Sequence, residues 1–139
     1  MTFAKQLLPL LYLVSAVCPG QTSSIEIVAN SDDNVGQRLV SVITERIRAS
    51  TAMTVTAKRD IPRMVVSIVT LDPAPPNGMQ TIYSVIFVYD DPSGPLRGVY
   101  LGNSVGLCTS AQTQRCADTI VADMDGQVDF VRQTRLPLR

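Results

Sequence analysis

Two apolar runs on either side of a turn-forming cluster dominate the hydropathy pattern. Residues 64–71 and 82–89 are rich in Val, Ile and Tyr, and residues 72–80 between them contain Pro73, Pro75, Pro76, Asn77 and Gly78. β-Branched and aromatic runs broken by such a cluster predict two neighbouring antiparallel strands, because Pro and Gly supply turn dihedrals that a ladder cannot use. In 64–71 both alternating sets, Met64/Val66/Ile68 and Val65/Val69/Leu71, are mostly apolar. That places this strand centrally, with both faces at least partly covered.

The flanking segments alternate between the two periods. Residues 24–29 (SIEIVA) set Ile25, Ile27 and Ala29 against Glu26, as a half-buried strand does. Asn30-Ser31-Asp32-Asp33 then offers helix caps, and Val35, Leu39, Val42, Ile43 and Ile47 recur at helical spacing up to about Ala49. Residues 52–57 predict a third strand, and 58–63 a polar break before the central hairpin. After it, Asp90-Asp91-Pro92-Ser93-Gly94-Pro95 is a turn signal, and residues 96–101 (LRGVYL) predict a strand paired with 83–89, with Gly98 and Gly102 marking a bulge or bend. Residues 104–110 read as a connection into a second helix capped by Thr109 or Ser110. Its face is Cys116, Ala117, Ile120, Val121, Met124, Val128 and Val131; Gly126 suggests a kink and Pro137 an end. The expected fold is α+β, in the order β-α-β-β-β-β-α, with two helices packed on one face of a largely antiparallel sheet.

The first twenty residues change the picture of where the chain works. Lys5, the apolar run 7–14 and the small residues after it have the pattern of a secretory signal peptide, cleaved after Ala16 or Gly20. The run is too short for the roughly 20 residues that span a bilayer. The expectation is therefore a signal peptide at 1–20, one domain at 21–139, and an exported, periplasmic or secreted location. Cys18 also admits lipidation, although Ser15 and Val17 replace the residues usual before a lipidated cysteine. With the leader removed, Cys108 and Cys116 remain, and an even pair in an exported chain predicts a disulfide.

Charge and chemistry narrow the function chiefly by exclusion. Twelve basic and twelve acidic residues cancel, and beyond Lys5 eleven basic residues face twelve acidic ones, a formal −1. This gives no electrostatic basis for nucleic-acid binding, or for membrane binding unless Cys18 is lipidated. The chain has no histidine, which removes triads, Cys–His pairs and imidazole metal ligands. Residues 102–106 (GNSVG) mimic a phosphate loop, Asp123-x-Asp125-Gly126 with Asp129 a calcium loop, and Asp90-Asp91 a carboxylate pair. A connection, a solvated helix face and a turn account for them better. No catalytic, cofactor or metal residue is expected. The candidate partner-binding residues are Tyr83, Tyr89 and Tyr100, which carry interface-forming rings, and the basic cluster Lys58, Arg59 and Arg63.

The element order in an exported chain resembles small periplasmic accessory proteins, in layout most nearly the lipopolysaccharide-assembly lipoprotein family. Residues 33–50 (DNVGQRLVSVITERIRAS) are similar to the first helix of the TolB amino-terminal and curli-secretion lipoprotein families. No functional residue transfers from these likenesses. The leading expectation is a non-enzymatic binding or assembly-accessory protein of the bacterial cell envelope, acting on a protein partner through its sheet face or an edge strand. The alternatives are a secreted inhibitor or immunity-type protein, a small aspartate-dependent hydrolase, and a small-ligand carrier with an apolar cavity between helices and sheet.

Overall fold

The computed structural model describes residues 22–75 and 78–134. The expected signal peptide at 1–20 with Cys18, Pro76 and Asn77 of the expected turn, and Pro137 lie outside the described residues. The elements are β1 (Ser23–Ser31), α1 (Asn34–Ala49), β2 (Met53–Val55), β3 (Arg63–Leu71), β4 (Gln80–Asp90), β5 (Val99–Thr109), a single 3-10 turn (Ser110–Gln112) and α2 (Thr113–Gln133). This is an α+β fold in the order β-α-β-β-β-β-α.

The five strands form one mixed sheet in the order β2-β1-β3-β4-β5. β3, β4 and β5 make the antiparallel meander, but β1 runs parallel to both β2 and β3. The sheet is therefore half parallel, where mostly antiparallel pairing was expected. The cause lies in α1, which carries the chain back to the start of β1 so that β2 must run in the same direction. β2 stops level with Ile25 after three residues. The chain then passes the beginning of β1 and enters β3 with Met64 beside that same Ile25, again parallel.

Both helices cover one face. Ile25, Met64, Val66, Ile68, Val85 and Phe87 on the strands pack against Leu39, Ile43 and Ile47 of α1 and Ala117, Ile120 and Met124 of α2, all essentially inaccessible. α1 is anchored at its start by Asp33, whose carboxylate accepts the Gly36 N–H (2.6 Å) and the hydroxyls of Thr70 and Thr81 (2.9 Å each). Burial alone would raise the Asp33 pKa. These three donors outweigh it and hold the carboxyl below its ordinary value. Gly36 is required because a Cβ there would run into Thr70 and Ser31, so the helix approaches the strands at backbone distance.

The last strand departs most from the sequence-based expectation. It begins later than residue 96 and continues through residues 104–109, which were read as a connection. Gly98, with φ of 65°, turns the chain into β5, and a register shift between Phe87 and Val88 sits opposite residues 100–102. Neither Thr109 nor Ser110 caps α2, which starts after the 3-10 turn. α2 also runs unbroken through Gly126. Cys108 and Cys116 form a disulfide with a Cα–Cα distance of 6.1 Å, joining the end of β5 to the first turn of α2.

Candidate interaction surface

Among the described residues the helices leave the opposite face of the sheet uncovered, and its side chains are largely apolar. Strand register sorts them into rows. Leu71, Ile82 and Leu107 form one row across β3, β4 and β5; Val69, Ser84 and Val105 form the next; Ser67, Ile86 and Asn103 follow, with Val28 of β1 beside Ser67. A further row holds Val65, Val88 and Tyr100. Of the eleven large apolar residues that stay exposed among the described residues, eight lie on this face. Leu71 and Val105 are each 64% accessible, so the apolar face is not merely grazed by solvent.

β5 concentrates the anomaly. Its inward positions Gly102, Ser104 and Gly106 are small, and at the two glycines other side chains already fill the space above them. A Cβ on Gly106 would lie 2.6 Å from the Tyr83 ring, and one on Gly102 would lie 2.9 Å from the Gln127 amide nitrogen. Its outward positions Tyr100, Val105 and Leu107 are large and exposed. The strand is thus amphipathic in the opposite sense to an ordinary half-buried one. This alternation of small and large residues was the sequence signal for β5, and a search for buried bulky residues passes over it.

β5 is also an edge. Ser110 donates its backbone N–H to the Met79 carbonyl (2.9 Å), which sets the phase of the β4–β5 ladder. Partners alternate in an antiparallel pair, so Cys108, Gly106, Ser104 and Gly102 bond toward β4. The backbone groups of Asn103, Val105, Leu107 and Thr109 point away from the sheet. Over its 11 residues this edge has no charged residue and no proline, the usual protections against strand addition. The other edge, β2, is 3 residues long.

The far end of the outer face is closed by charge. The Arg63 guanidinium, almost fully buried, reaches Glu26 (2.6 Å) and Asp90 (3.0 Å), while Arg59 reaches Glu26 from the solvent side (2.8 Å). Burial by itself would raise the Glu26 pKa, but the hydrogen bonds and charge of Arg63 and Arg59 prevail and lower it. The basic cluster Lys58, Arg59 and Arg63 is therefore not one exposed patch. Arg63 is an internal counter-ion, Arg59 spends its charge on Glu26, and Lys58 stands exposed on the loop.

The three tyrosines separate in the same way. Tyr83 and Tyr89 are buried on the helix side, so neither ring is presented to a partner. Tyr100 is exposed on the outer face and donates its hydroxyl to Asn103 Oδ1 (2.6 Å). Asp90 is committed to Arg63, and Asp91 caps the following turn by accepting from the backbone of Ser93 and Gly94. Asp123, Asp125 and Asp129 lie on the solvent side of α2. Among the described residues no three Cys, Asp or Glu side chains converge as a metal site. A shallow cleft between the helices, lined by Val42, Glu45, Arg46, Ala49 and Gln114, opens outward to solvent.

No protein-family model matches the chain, and no curated protein matches it. Similar solved structures include a PelC dodecamer from Paraburkholderia phytofirmans, 15% identical over 81% of this chain and 90% of that one, with a TM-score of 0.49. A variant of the same PelC dodecamer gives 14% identity over 80% and 92% of the two chains, with a TM-score of 0.46. A minor lipoprotein from Acinetobacter baumannii is 13% identical over 87% of this chain and 98% of that one, with a TM-score of 0.34. No residue role is taken from them.

Proposed function

We propose that this chain is a non-enzymatic binding or assembly-accessory module of the bacterial cell envelope, exported by its leader, which recognises a protein partner through the β5 edge. The observation that carries this reading is β5 itself. It is an 11-residue edge strand without charge or proline, whose outward side chains are mostly apolar and whose outward backbone groups face no neighbouring strand among the described residues. A strand of this kind exposed on a lone molecule invites uncontrolled pairing, and a partner segment that adds to it satisfies its outward hydrogen bonds. The Cys108–Cys116 disulfide supports an oxidising compartment.

The test is affinity capture of the tagged full chain from its own host. Val105→Pro removes one outward N–H at a position where an edge strand tolerates proline. Asn103→Pro removes a second outward N–H from the same edge. Both variants should lose a partner that the wild type and a helix-surface control, Arg48→Ala, retain. A partner held equally by all four proteins would place recognition elsewhere.

A further inference from the structure

The outer face has the area and the chemistry of half a dimer. Its eight large apolar residues are between 40% and 64% exposed, and together they present an apolar patch of roughly 600–700 Å². That exceeds the largest apolar patch of a typical monomer, which is about 300–600 Å². It approaches the roughly 800 Å² per partner of a standard stable interface. We infer that this face closes against the same face of a second copy of the chain, the two sheets stacking about a two-fold axis, and that the β5 edge is left for the partner. The inference rests on reading the outer face as an interface.

Charge selects the occupant. An isologous contact sets a patch against itself, so any unpaired charge within it would meet its like. The rows from Leu71 to Ile86 contain only apolar side chains, Ser and Asn, with no acid or base among them. At the other end of the face Glu26, Arg63 and Asp90 are paired with one another, and at the near end Asp72 directs its carboxylate to the backbone N–H groups of Ala74 and Gly78. An acidic or basic partner would find nothing to complement on this patch, whereas a second copy brings an equally uncharged surface of equal area. Two apolar sheet faces stack about 10 Å apart without further specialisation, as the two layers of a sandwich do.

Sedimentation equilibrium of the exported full chain tests this across the micromolar range. The wild type should be a dimer. Val69→Lys and Leu107→Lys should each weaken self-association by roughly tenfold or more. Val69 is the decisive position, because it lies on β3, two strands from the edge, and is half exposed, so that a lysine there leaves the core intact. Val105→Pro, which interrupts the edge but keeps an apolar side chain, should leave the dimer in place. Circular dichroism confirms that each variant is folded.

A wild type that remains monomeric overturns the inference. So does a dimer abolished by Val105→Pro and indifferent to Val69→Lys, since the copies would then be joined edge to edge. A monomeric wild type leaves partner recognition untouched, because the capture experiment reads it through a different protein, whereas an edge-to-edge dimer would occupy the strand proposed for the partner and count against both readings.

Discussion

Arg63 shows what a single residue has to hold in this fold. It sits almost inaccessible between Glu26 and Asp90, and neither carboxylate has enough solvent to stand alone comfortably. Arg63→Met should therefore cost about 3 kcal/mol or more, since truncating one member strands the others in a poorly hydrated site. Urea denaturation will read this as a lowered midpoint. Glu26 and Asp33 both have lowered pKa values in the folded state. Their contribution is thus complete above the ordinary values of 4.5 and 3.8 and is lost as pH falls through the depressed folded values. Acid should destabilise the wild type more steeply than Arg63→Met, in which Glu26 has lost its main partner. Tyr89 behaves oppositely. Burial, with Asp91 and Asp90 nearby, pushes its hydroxyl up to about 12 from 10.0. The unfolded chain deprotonates first, so stability is intact below pH 10 and declines between pH 10 and about 12. Tyr89→Phe should flatten that decline in a series of urea midpoints measured against pH.

At the scale of elements, legibility followed side-chain size. β3, β4 and α1 bury bulky residues at period 2 or 3.6, and their boundaries stand close to the hydropathy pattern. β5 buries glycine and serine instead, so its second half looked like a connection, although Gly102, Ser104 and Gly106 alternate strictly with Asn103, Val105 and Leu107. Gly126 misled in the other direction. Its local helix penalty is real, but the apolar stripe of Ile120, Met124, Val128 and Val131 packs on the sheet on both sides of it and carries the helix through. The disulfide acts at the junction of these two elements. Replacing Cys108 and Cys116 together by alanine should lower stability by about 2–3 kcal/mol, the range expected for so short a loop. Hydrogen exchange should accelerate first around residues 109–117, where β5 hands over to α2.

For the whole molecule, the pattern of apolar residues revealed which segments form strands and how the central hairpin pairs, but not the neighbours of the first two strands or their direction. Nothing in the composition of residues 52–57 distinguishes a parallel neighbour of β1 from an antiparallel one; that is decided by where α1 returns the chain. The candidate binding residues suffered from the same loss of three-dimensional context. Tyr83 and Tyr100 look equivalent in sequence, yet the pleat sends one under the helices and the other into solvent. An apolar outer face is also invisible to hydropathy, since an apolar residue in a strand reads as buried whichever side it occupies. The consequence is a sheet with two apolar faces and helices enough for only one. The account of this protein as an interaction module depends on the second face being covered when the protein is at work.

Photo-crosslinking in the native host tests that dependence most directly, with a photoreactive amino acid at Leu107 in the full chain and a parallel substitution at Arg48 on α1. Light should produce a covalent adduct from position 107, either at twice the subunit mass or with a distinct protein, and none from position 48. A chain that remains uncrosslinked at position 107 while folded and exported would show that the outer face meets only water, and would contradict the account.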